Sequence, residues 1–208
     1  HVVMLTNVVA PDKLGGLERY VGELGAALQR VGVTVTVVSK RTSPEQPDTE
    51  VFANGSRVRR YSPPSKRDPL FAIKYPATIL RGATAALAEA RADAGGAPTV
   101  IHGHFPVPML SLARKAEPYL YTCHAPVYKE VISERQGSYT LPMPAQKAAV
   151  AGMRAAERLV FRRANRMITL SDFVRNEVAE VDPSSAGKVD LVPGGLDTSW
   201  FSPNGQEH

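Results

Sequence analysis

Cysteine is almost missing from this sequence: Cys123 is the only one in 208 residues. That excludes an internal disulfide framework, and one thiol cannot form a thiolate metal cage. No apolar run approaches the roughly 20 residues that a membrane-spanning helix needs, and the opening HVVMLTNVVAP lacks the basic start of a signal peptide. A cytoplasmic protein is therefore expected. The chain opens on His1 inside an apolar run, which leads us to expect a natural N-terminus further upstream. Several catalytic signatures are also missing. There is no G-x-S-x-G elbow, Walker loop, H-E-x-x-H or C-x-x-C, so a serine hydrolase and a P-loop kinase drop out, and a zinc cluster built on histidines is left as a minor competing reading. No G-x-G-x-x-G occurs, and Ser39-Lys40-Arg41 stands where a dinucleotide ribose would need an acid, which weakens a nicotinamide-dependent reading.

What is present is ordinary globular material, 43% hydrophobic and 22% charged, enough for one sizeable single-core domain. The excess of 25 basic over 20 acidic residues gives +5. This is a mild bias toward phosphate-bearing partners, and nucleic acid is not expected among them.

Strand and helix patterns alternate. Residues 2–6 read as a buried strand, 7–16 as a glycine-bearing loop, and Leu17, Tyr20, Val21, Leu24, Leu28 and Val31 as one apolar helical stripe closed by Gly32. Residues 33–39 complete a strand–helix–strand unit. Further strands are expected at 57–61, 100–102, 119–123, 166–170 and 188–192, and helices at 77–94, 110–117, 144–164 and 171–181, with Ser171 as an N-cap. The sum is a Rossmann-like, doubly wound α/β domain, with a mostly parallel sheet of about seven strands and helices on both faces. Residues 62–68 and 135–143 follow neither period and read as loops. We place the domain at 1–193 and a glycine-rich exit linker at 194–208.

Such sheets bind ligands beyond the C-terminal ends of their strands. Gly15 and Gly16 sit there, before the first helix, where an anion such as a diphosphate would meet free N–H groups; a tight turn needing positive φ is the alternative. Glu18 and Arg19 open the same helix. His102 and His104 end one strand and His124, after Thr122, ends the next. Three imidazoles thus converge on one edge, suited to proton exchange near neutral pH or to hydrogen bonds with sugar hydroxyls or phosphate. Arg154, Arg158, Arg162 and Arg166, four apart, form a cationic stripe that suits solvent, a phosphorylated acceptor or peripheral contact with an anionic membrane.

The order of five blocks is more specific than any of these signals: VVMLTNVVAPDKLGGLERYVGELGAALQRVGVTVTVVS, VIHGHF, YLYTCHAPVYKEV, RRANRMITLSDFVRNEV and VDLVPGGLDTSWFSP. Together they resemble the N-terminal domain of the family 4 retaining glycosyltransferases of the GT-B fold, over nearly the whole chain. The resemblance implies two Rossmann-like domains facing a cleft, the first holding the acceptor and the second most of a nucleotide-diphosphate sugar. It implies transfer of a hexosyl group to a hydroxyl acceptor, small molecule or lipid, with retention and with no metal or other cofactor; the sequence has no Asp-x-Asp motif. Carried over by motif, Gly15 and Gly16 approach the donor phosphates, and His124 contacts the transferred sugar or acceptor as the candidate catalytic group. Glu18, His104, Thr122 and Ser171 line the acceptor or sugar pocket, and Gly195 and Asp197 belong to the interdomain junction. PGGLD replaces the family's usual asparagine-glycine pair there. The donor-binding C-terminal domain, with its cations and acidic motif, would follow the linker, so this chain alone is expected to be inactive. A non-catalytic half-domain that captures a sugar phosphate, or pairs with a separate donor domain, is the alternative.

Overall fold

A computed structural model describes residues 1–65, 71–129, 132 and 143–195. Eight strands form one sheet: β1 (Val2–Leu5), β2 (Val35–Lys40), β3 (Thr49–Val51), β4 (Arg57–Tyr61), β5 (Val100–Gly103), β6 (Leu120–Cys123), β7 (Arg166–Thr169) and β8 (Val189–Leu191). Their order is β3-β4-β2-β1-β5-β6-β7-β8, and every pairing is parallel except that of the edge strand β3 with β4. The chain winds outward from β1 through β2 to β4, then returns to β5 on the other side of β1 and winds out again. The reversal beside β1 is the topological switch point, the place such sheets leave open for a ligand.

The helices are α1 (Gly16–Arg30), α2 (Phe71–Ala92), α3 (Pro106–Lys115), α4 (Met143–Arg163) and α5 (Asp172–Val181), followed by a 3-10 turn, Pro183–Lys188. Side chains alternate across a strand, so consecutive residues serve opposite faces. Met4, Val37 and Val58 pack on one face under α1, with Leu17, Leu24 and Leu28 over them. Val3, Leu5, Val38, Ile101, Tyr121 and Met167 belong to a larger cluster with α2, α3, α4 and α5. On the α1 side, β5 and β6 offer His102 and Thr122, both buried, instead of apolar groups. No helix among the described residues is long and apolar enough to cross a membrane.

The alternation of elements matches the sequence expectation, with specific differences. There are eight strands rather than about seven, because β3 is three exposed residues with no period of their own, held by pairing Glu50 with Val58. Helix α2 starts at Phe71 rather than 77 and carries Pro76 inside it. Helix α3 starts at Pro106 rather than 110, since proline at the first position of a helix loses no intrahelical bond. Gly32 adopts φ +81° after α1, in its expected closing role. Arg166 leaves the cationic stripe, because α4 ends at Arg163 and Arg166 begins β7. Of the expected loops, 66–68 and 135–142 lie outside the described residues, and Met143 is already helical.

Candidate functional site

The loop after β1, the ends of β5 and β6, and the first turns of α1 meet at the switch point. Gly15 is the N-cap of α1 and makes no side-chain cap bond, so the first-turn amides have no capping acceptor from that residue. Its φ of −167° is extended and open to any residue, so the need for glycine here is space and not positive φ. A Cβ on Gly15 would lie 2.2 Å from Glu18 Oε2, whereas Gly16 has nothing within 4 Å. Glu18 is buried, turned back over Gly15, and Lys13 Nζ approaches its Oε1 at 3.4 Å. Arg19 instead pairs outward with Glu23.

His102 Nε2 and Thr122 Oγ1 share a 2.7 Å hydrogen bond. His104 Nδ1 lies 3.3 Å from His124 Nε2, and the His102 and His104 rings are 4.1 Å apart. Tyr20, one helical turn beyond Gly16, packs edge-on against His124 at 4.8 Å between centroids and also hydrogen-bonds Thr122. Five groups from α1, β5 and β6 therefore form one connected cluster. Nε2 of His104 is buried and has no protein partner, which suits a bound water or a ligand hydroxyl.

Burial pushes the pKa of His102 down to about 4, with the nearby His124 as a smaller cause. Burial also lowers His124 to about 4 although the Glu18 charge opposes it, and holds His104 well below its ordinary value. All three rings are neutral at pH 7, which corrects the expectation of proton exchange near neutrality. They donate and accept hydrogen bonds and are poor general bases. One expected outcome concerns stability. The unfolded histidines bind protons near pH 6.5 and the folded ones do not, so protons favour the unfolded chain in the window from about 6.5 down to about 4. Denaturant titrations across that window should show stability falling with pH, by on the order of a few kcal/mol; a flat profile would contradict neutral buried rings.

Ser171 stands on the same sheet edge, beyond β7, but its side chain accepts the amide of Val174 as the N-cap of α5 and does not join the cluster. Gly195 is exposed after β8, and Asp197 lies outside the described residues. Tyr20 lies in the apolar stripe expected for α1, and its phenol hydroxyl is the one polar group in that stripe. Among the described residues no group of three or more potential metal ligands comes together. The remaining cations of the stripe tie α4 to its neighbours: Arg158 and Arg162 reach the buried Asp182 at the end of α5, and Arg154 lies over the Tyr128 ring and donates to Glu180 O. Beside that ring is an open, largely apolar cavity of about 690 Å³ lined by Tyr128, Ile132, Met143, Lys147 and Val150.

A doubly wound sheet with a buried polar cluster and an uncapped helix N-terminus at its switch point defines a Rossmann-like domain. Residues 14–200 match Glycosyltransferase Family 4, and the chain belongs to that family. It is 30% identical over 199 residues to the D-inositol 3-phosphate glycosyltransferase of Kineococcus radiotolerans, covering 91% of this chain and 42% of that protein. The same-named protein of Actinosynnema mirum is 28% identical over 91% of this chain and 44% of its own length. The chain thus spans less than half the length of these curated relatives. Among solved structures, sucrose-phosphate synthase from Thermosynechococcus elongatus superposes with a TM-score of 0.66 at 21% identity, over 97% of this chain and 50% of that one. That likeness supports the fold: this chain has the build of one half of a GT-B glycosyltransferase.

Proposed function

We propose that this chain is the acceptor-side half of an enzyme that transfers a hexosyl group from a nucleotide-diphosphate sugar to a hydroxyl acceptor, with retention and without a metal. The observation that carries this reading is the half-buried His124, held by His104 and Tyr20 beside Gly15 and the α1 N-terminus. A neutral imidazole there hydrogen-bonds the sugar and orients its reacting carbon; it is not the nucleophile. The first-turn amides of α1 face the departing diphosphate, and Lys13 offsets the Glu18 charge that would otherwise repel it. Cations of a second domain complete the neutralisation. Leu14 and Phe173, 83% and 72% exposed on this sheet edge, are apolar surface for that domain to cover.

D-inositol 3-phosphate, which names the curated relatives, is the first acceptor to try, and the cavity at Tyr128 offers room for a more apolar one. The test is nucleotide release by the full-length protein from a panel of nucleotide sugars, with and without chelator. Release that survives chelation, together with silence from residues 1–208 alone, supports the reading. Equal turnover by residues 1–208 would sink it.

A further inference from the structure

The central carboxylate of α4 is fully buried, in a helix that otherwise sends its charges outward. Glu157 Oε1 accepts the amide of Val127 at 2.6 Å and Oε2 accepts that of Tyr128 at 3.1 Å. These amides open the helical turn at 127–129, and first-turn amides have no acceptor within their own helix. A buried carboxylate is costly unless it is neutralised or hydrogen-bonded, and two N–H donors at the positive end of a turn meet that need. The donors lie three and four residues beyond His124, which itself follows the last residue of β6.

Resting on the role given to His124 above, we propose that Glu157 is a positioning residue: by gripping the amides of Val127 and Tyr128 it fixes the loop that carries His124. The loop is then anchored at both ends, by the β6 ladder on one side and by α4 on the other. The ring's remaining restraints are weak ones, the 3.3 Å contact with His104 and the edge of Tyr20. Without Glu157, two amides lose their acceptor and the backbone between residues 124 and 128 loses its hydrogen-bonded tie to α4, keeping only the packing of Val127 and Tyr128. A displacement of about 1 Å at a reacting group is enough to cost roughly 100-fold in rate.

Glu157→Gln keeps the shape of the side chain but has one acceptor oxygen where the carboxylate has two, so one amide goes unsatisfied. In the full-length protein carrying 13C-labelled histidine, the His124 ring should then titrate closer to its ordinary value, its midpoint rising from about 4 as the loop opens to water. In the same variant kcat should fall roughly 10- to 100-fold, with KM for the sugar nucleotide nearly unchanged. Should Glu157→Gln fail to fold, Val127→Pro removes one donor from the other side, at a first-turn position that tolerates proline, and should move the same ring signal in the same direction. A His124 ring that titrates as in the wild type, whatever happens to the melting temperature, overturns the proposal. The ring titration needs no turnover. If His124→Ala proves harmless, the functional reading falls while the midpoint still decides whether Glu157 fixes the loop.

Discussion

Replacing His124 with alanine in the full-length protein is expected to lower turnover roughly 100-fold or more while the fold stays intact. The magnitude is that of removing one preorganised hydrogen-bonding group from a reaction site, and the ring is held as such a group. It is half-buried, neutral at pH 7, and oriented by His104 and Tyr20. Its removal also leaves His104 Nδ1 without its partner, which is a local cost, since the ring lies at the sheet edge and not in either apolar cluster. Nucleotide release measures turnover, and circular dichroism checks the fold. A rate near that of the wild type would take His124 out of the mechanism.

Arg60→Ala should cost about 3–5 kcal/mol of stability. The Arg60 side chain is fully buried and grips Asp12 through two bonds, Nε to Oδ2 at 2.7 Å and Nη2 to Oδ1 at 3.0 Å. It also reaches Glu50 Oε2 at 2.7 Å and Pro47 O at 3.2 Å. This ties the loop between β1 and α1, which ends in Gly15, to β4 and to the edge strand. Truncation leaves the Asp12 carboxylate, 6% exposed, without a counter-charge. Denaturant unfolding measures the loss, and a change below about 1 kcal/mol would show that the pair does not hold the loop. Because Asp12 and Gly15 share that loop, donor binding by the full-length protein should weaken in the same variant.

Periodicity made the sheet legible. The buried strands at 2–5, 35–40 and 166–169 are short runs between glycines, prolines and amphipathic helices, and their alternation with helices implies parallel pairing before any contact is known. Strand β3 has no such mark. Thr49, Glu50 and Val51 are all exposed, and they form a strand because β4 offers a free edge and Arg60 reaches Glu50. The starts of α2 and α3 were not legible: Pro76 lies inside α2, where proline is unfavourable, whereas Pro106 and Pro108 open α3, where a first-turn proline loses no intrahelical bond.

The site was legible as a position more than as chemistry. His104, His124 and Thr122 follow from the rule that ligands gather beyond strand ends, and the structure brings them together. Their protonation state does not follow, because burial is a property of the packed domain. Ser171 shows the reverse: a polar group at a strand end whose hydrogen bond goes to its own helix. Glu157 had a signal that the four-spaced arginines concealed. It falls at helical spacing with Val150, Met153, Val160 and Phe161, the side of α4 that packs into the core. A lone acid in a buried stripe calls for a partner, and here the partners are backbone amides that no side-chain pattern reveals.

The central claim is that the cluster of His124, His104, Thr122 and Tyr20 beside Gly15 and Gly16 is where the donor sugar reacts. The most direct test is to titrate the full-length protein, with labelled histidine and glycine, with the nucleotide sugar that supports turnover, and to follow the His124 ring and the Gly15 and Gly16 amides by NMR. These signals should move together, with their midpoint at the concentration that half-saturates turnover. Saturable binding that leaves His124 and both glycine amides unmoved would contradict it.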